Sequence, residues 1–171
     1  MFDYATHVPI LAHLILEHKI KNVMETGMGD YSTPLFVAYC NHVFSIEMDK
    51  IDWFEKVCKR QGVTYLFHPF LALQEKEYIN AIREIPPVDM AFIDGYGIRS
   101  FQVNSVFHKT NIIVMHDTQE ECHEWKGVVI PDKTWQWVDV TSYPTWTGVL
   151  TTRQDVVDSL RRVFKTQDRN I

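Results

Sequence analysis

Two stretches, "VDMAFID" (88–94) and "NIIVMHD" (111–117), are apolar with almost no polar alternation. A strand with one wet face alternates, whereas a continuous apolar run of this length suits a strand covered on both faces. Helical patterns separate such runs along most of the chain. Ile10, Leu11, Leu14 and Ile15 have helical spacing within 8–20. "NVMET" (22–26) reads as a strand, and Thr33 as the N-cap of a helix that starts at Pro34. "HVFSIEM" (42–48) is the next strand. Asp49 is expected to cap the amphipathic helix "KIDWFEKVCKRQ" (50–61), which Gly62 ends. "VTYLF" (63–67) reads as a strand, "LQEKEYINAIREI" (73–85) as a helix stopped by Pro86-Pro87, and "IRSFQVNSVFH" (98–108) as a short helix. This alternation predicts a parallel sheet with right-handed crossovers. The rhythm then changes. "TWQWVDVTS" (134–142) and "TWTGVLTTR" (145–153) are joined by little more than Tyr143-Pro144, which allows only an antiparallel pair. A helix over Gln154–Phe164 closes the chain.

At 171 residues the chain suits a single domain spanning 1–171. Its net charge of −5 argues against nucleic acid as a partner. Three cysteines without a CxxC pair fit reduced thiols in the cytoplasm. Cys122 and His123 have no matching ligand pair for zinc. No run reaches membrane-spanning length, and no basic leader precedes "ILAHLIL". His7, His13, His18 and His42 have no visible partners. Trp125, Trp135, Trp137 and Trp146 are expected in the core or on the sheet.

The turn "VMETGMGDYST" (23–33) carries the clearest chemistry. Gly27 and Gly29 allow a tight turn and a close approach of ligand to backbone, and the following helix offers unpaired N–H groups. Glu25 would repel a pyrophosphate and suits an ammonium. Glu47 ends the next strand about 20 residues on, where an acid accepts hydrogen bonds from ribose hydroxyls. Glycine spacing alone leaves a plain strand–turn–helix open as well.

In "METGMGDYST", "SIEMD", "VDMAFIDG" and "IIVMHDT", in that order and with a hairpin after them, the chain resembles the class I S-adenosylmethionine-dependent methyltransferases. "ETGMGDYST" with "IDG" and "HDT" is most similar to the O-methyltransferase-like branch. The resemblance implies an α/β, Rossmann-like three-layer sandwich whose mostly parallel sheet has seven strands, the last antiparallel. It implies that Glu25, Thr26, Gly27, Gly29 and Ser32 hold the methionine part of S-adenosyl-L-methionine. Glu47 and Met48 would hold the ribose, and His68 or Phe70 would line the adenine pocket. Asp94 would face the cofactor from the fourth strand.

Asp94, His116 and Asp117 end two adjacent strands at the edge where such folds bind ligands. They are expected to be catalytic by one of two routes. Asp94 and Asp117, with or without His116, would bind a divalent cation such as Mg2+ that acidifies an acceptor hydroxyl. Alternatively, His116 would act as a general base without metal. "DGYGIR" departs from the metal-using pattern and puts Tyr96 and Arg99 near an anionic substrate, although surface placement is the ordinary fate of such an arginine. The expected activity is O-methylation of a small-molecule or sugar hydroxyl. One alternative is a catalytically silent cofactor- or partner-binding protein. Another is a nicotinamide-dependent oxidoreductase, against which stand Ser32 at the third fingerprint position and Glu25 beside the phosphates. The chain has little room for a lid, which fits the silent alternative, an acceptor that is large and exposed, or a second subunit of a homo-oligomer that completes the site.

Overall fold

The computed structural model describes residues 5–62, 66–119 and 125–169. Cys122 and His123 lie outside them, as do 63–65 of the expected strand at 63–67. Strands β1 (Asn22–Thr26), β2 (His42–Glu47), β3 (Phe67–Leu71), β4 (Met90–Ile93) and β5 (Ile112–His116) are parallel. Strands β6 (Gln136–Val140), β7 (Thr147–Thr151) and β8 (Thr166–Asp168) add antiparallel pairs, giving eight strands in the order β3-β2-β1-β4-β5-β7-β6-β8. The expected seven strands and terminal hairpin are present. The eighth, a polar triplet with no alternation, is an addition.

The apolar runs behave as their composition dictates. Every residue of β4 and β5 is buried. Phe92, Ile112 and Val114 join one core, and Ala91, Ile93, Ile113 and Met115 the other. Helices α1 (Val8–Glu17), α2 (Ser32–Tyr39), α3 (Ile51–Gln61) and α6 (Gln154–Val163) contribute Leu11, Phe36, Val57 and Leu160 to the first core. Helices α4 (Glu75–Glu84) and α5 (Arg99–Asn104) contribute Tyr78, Ile82 and Val103 to the second. The sheet is therefore sandwiched between two helical layers, and each fully buried Val, Ile or Leu side chain is worth about 1.5–3 kcal/mol. Among the described residues no helix is long and apolar enough to cross a membrane.

Three local expectations are corrected. Strand β3 lies later than expected and contains Pro69, which an edge strand tolerates because one side of its backbone needs no partner. Thr33 is inside α2 rather than its cap, because its hydroxyl donates to Glu25 at 2.7 Å. Lys50 rather than Asp49 occupies the N-cap of α3, with no side-chain cap, and Asp49 pairs with Lys50 at 3.0 Å.

The end of the described chain clasps the loop after β5. Arg169 stacks over Trp137 at 4.5 Å, donates to Asp139 at 2.8 Å and donates to the carbonyl of Thr118 at 2.9 Å. Thr118 in turn donates to Asp139 at 2.8 Å. The crossing is close enough to require Gly148, where a Cβ would sit 2.6 Å from Thr118 Cγ2 and 2.8 Å from Trp137 Nε1.

Candidate functional site

Strands β1, β2, β4 and β5 present their carboxyl ends at one edge, and the turns there are pressed together. Gly27 has φ of +82°, and a Cβ on it would lie 2.7 Å from both Asp94 O and Gly95 Cα. Gly27 thus lets the β1 turn close onto the β4 turn. Thr26, on the same turn, donates to Gln102 at 2.6 Å, and Gln102 donates to the carbonyl of Tyr96 at 2.8 Å. These bonds tie the two turns to α5.

Glu25 is fully buried and accepts hydrogen bonds from Ser45 (2.6 Å), Thr33 (2.7 Å) and Ser32 (3.0 Å). Burial pushes its carboxyl up to about 7, and the three hydroxyls and the opposing effect of their bonds do not cancel that rise. It has no exposed surface on which an ammonium would rest, and it sits instead beneath the start of α2. Glu47 accepts from the amides of Asp49 (2.8 Å), Met48 (3.0 Å) and Met28 (3.2 Å), which fixes the β2 turn against the β1 turn.

Arg99 organises the β4 and β5 ends. It is buried, at 8% exposure, not on the surface. Its guanidinium reaches Asp94 and Asp117 at 3.1 Å each, and donates to the carbonyls of His116 (2.8 Å) and Gly95 (3.2 Å). The guanidinium therefore bridges the two carboxylates proposed above as a metal pair. Asp117 adopts the left-handed conformation, φ 59°, which Asp tolerates better than most residues. His116 Nδ1 lies 3.2 Å from Asp94 Oδ1, and its Nε2 lies 3.2 Å from Thr6 Oγ1. Burial would raise Asp94, but the hydrogen bond and charge of His116, with Arg99 and His7, hold its carboxyl below the usual range.

His7, at the N-cap of α1, packs edge-on against His116 with ring centroids 4.5 Å apart. It is 3% exposed, and neither ring nitrogen has a hydrogen-bond partner among the described residues. Burial, and then the neighbouring His116, pushes it down to about 4.

These groups surround a cleft of ≈ 460 Å³ lined by His7, Ser32, Trp53, Asp94, His116 and Asp117, among others. An adjoining recess of ≈ 350 Å³ is lined by Gly27, Glu47, Lys50 and Tyr96 and shares Gly29, Trp53, Asp94 and Arg99 with it. Both volumes lie in the range of small-molecule sites. Gly27, Gly29, Ser32, Glu47, Asp94, Tyr96, Arg99, His116 and Asp117 are thus brought to one place. Thr26, Met48, His68 and Phe70 are not among the lining residues. His68 stacks on Phe44 at 4.7 Å and lies 3.3 Å from His42, on the edge strand. Met48 and Phe70 pack against the second core.

Among the lining residues that escaped the sequence reading, Trp53 and His7 stand out. Trp53 donates to the carbonyl of Met28 at 2.6 Å and walls both spaces. Its signal was its place one turn into the helix after β2. His7 lies more than a hundred residues from His116, and no local pattern marks it.

No protein-family model matches the chain, and no curated protein does. Solved structures do. A Staphylococcus aureus protein assigned as a caffeoyl-CoA O-methyltransferase superposes with a TM-score of 0.68 at 12% identity, covering 88% of this chain and 85% of that one. An rRNA methylase from Streptococcus thermophilus gives 0.62 at 13% identity over 90% and 99%. A Podospora anserina methyltransferase bound to S-adenosylhomocysteine (SAH) gives 0.57 at 11% identity over 80% and 74%. The fold is that of these class I methyltransferases.

Proposed function

We propose that this chain is an S-adenosylmethionine-dependent methyltransferase acting on a hydroxyl of a small molecule. The observation that carries the reading is the convergence of Asp94, His116 and the Gly27–Gly29 turn on one cleft at the carboxyl edge of the sheet. The fold neighbours include methyltransferases, two of them in complex with SAH, which supports the cofactor class. The residues suit that cofactor. Gly27 and Gly29 line the recess, and Glu47 offers a carboxylate for a ribose at its wall. Glu25 contributes indirectly, by holding Ser32 and Thr33 at the start of α2.

S-adenosylmethionine, when bound, supplies an electrophilic methyl group. The chain must place the acceptor oxygen in line with it and remove the hydroxyl proton. His116 is the base we assign, since its ring faces the cleft and Asp94 stabilises the imidazolium formed when it takes that proton. Arg99 holds Asp94 and Asp117 in place. Its bridging of those acids favours the metal-free route over an Asp94–Asp117 Mg2+ pair.

Titration calorimetry with S-adenosylmethionine, SAH and NAD tests the cofactor class. Binding of the first two without NAD is expected. Binding of NAD alone overturns the proposal. A panel of hydroxyl acceptors, assayed with and without Mg2+, then tests the reaction.

A further inference from the structure

His7 is unexplained by methyl transfer. It is an imidazole with almost no exposure, aimed into the cleft, and neither nitrogen is satisfied by the described residues. Buried polar groups in folded proteins are nearly always paired. Its neighbours are another imidazole and a carboxylate. Donor atoms of His7, Asp94 and His116 all lie within 4.8 Å of one another, the only such cluster found among the described residues.

We propose that His7, Asp94 and His116 form a binding site for a divalent cation of the Zn2+ class. Ligands about 2.0–2.1 Å from such an ion at tetrahedral angles stand ~3.3–3.4 Å apart. His116 Nδ1 and Asp94 Oδ1 are already 3.2 Å apart, and His7 offers a ring nitrogen within 4.8 Å of both, which an ion would have to draw closer. Two imidazoles and one carboxylate select Zn2+, Co2+ or Ni2+ over Mg2+, which prefers oxygen ligands. The surroundings also match a metal site. A ligating histidine usually uses its other nitrogen to bond an outer partner that fixes ring and tautomer. Thr6 stands at that position, 3.2 Å from His116 Nε2. Three ligands leave a further position for water or another group. Coordination would take His116 and Asp94 out of the proton-removing role assigned above, so the loaded chain would not transfer methyl by that route. Arg99 holds the same Asp94 oxygen at 3.1 Å, and an ion that displaced this contact would leave it Asp117 and two main-chain carbonyls as partners. This set differs from an Asp94–Asp117 pair in its ligands and in the metals it takes.

The test reads metal uptake, so it stands or falls separately from methyl transfer. The chain is stripped with a chelator and titrated with Zn2+ and with Co2+, following stoichiometry by equilibrium dialysis and Co2+ by its visible absorption. A His42→Ala/His68→Ala background removes the exposed histidine pair. One equivalent of each ion is expected, with visible bands of low coordination number for Co2+. His7→Ala and the more space-filling His7→Gln should abolish uptake. Thr6→Val should weaken it ~10–100-fold. Failure of the chain to take up one equivalent overturns the proposal. So does unchanged affinity in a folded His7→Gln variant, with folding verified by circular dichroism.

Discussion

Replacing Glu25 by Gln should change how stability depends on pH. The carboxyl is fully buried, and its ordinary value of 4.5 is raised to about 7, chiefly by desolvation, with the hydroxyls of Ser45, Thr33 and Ser32 partly opposing the rise. Below pH 4.5 the acid is protonated in both folded and unfolded chains and contributes no pH dependence. Between 4.5 and about 7 the folded chain holds a proton that the unfolded chain has released, so stability falls as pH rises. Above about 7 the full cost of a buried anion is present. At about 1.36 kcal/mol per pH unit, the loss across this window is on the order of 3 kcal/mol. Gln keeps the shape, accepts hydroxyls through one oxygen and cannot ionise. Urea unfolding of wild type and Glu25→Gln at pH 5, 7 and 8.5 isolates the contribution. The variant should gain on the wild type by about 3 kcal/mol from pH 5 to 8.5. For a chain of this size that corresponds to a relative Tm gain of ~6–12 °C. A difference that stays flat with pH would refute the reasoning. One that moves the other way would show that the three hydroxyls stabilise the anion more than burial opposes it.

Gly27→Ala should lower stability by about 1–3 kcal/mol in thermal unfolding, since its Cβ meets Asp94 O at 2.7 Å and its φ is positive. Arg99→Ala should cost at the low end of ~3–5 kcal/mol, because Asp94 and Asp117 lose their shared cation while keeping some solvent contact. Arg99→Lys should recover little, lacking the fork that spans both acids. On an acceptor that turns over, His116→Asn should cut kcat about 10²–10⁴-fold while leaving S-adenosylmethionine affinity within a few-fold, by rapid-quench kinetics and calorimetry.

The sheet was legible because β4 and β5 are continuous apolar runs, which suit strands covered on both faces, and helical patterns alternate with them. Their ends were legible for the same reason: Asp94, His116 and Asp117 are the first polar residues after those runs, so they had to emerge at one edge. The misplaced β3 shows the limit of local rules. Pro69 argues against a strand until the edge position is known, and edge position is a property of the whole sheet. Thr33 shows another. Its sequence context favours a cap, but a buried carboxylate at Glu25 needs donors, and that need is visible only once β1 and α2 are packed. Arg99 looked like a surface residue because its two acids come from different strands. His7 carried no signal, since its neighbours are assembled by the fold alone.

The clasp made by Arg169 has a consequence for synthesis. Domains assemble from the N-terminal side as the chain is made. Strands β1 to β5 can pair early, yet the loop behind Asp117 has its Thr118 carbonyl held by Arg169, 51 residues further along the chain. Until residue 169 has left the ribosome, Asp139 lacks its cation and the β5 turn lacks its last support. A nascent chain stalled before that point would carry strands β1 to β7 while the turn behind Asp117 still lacked this support.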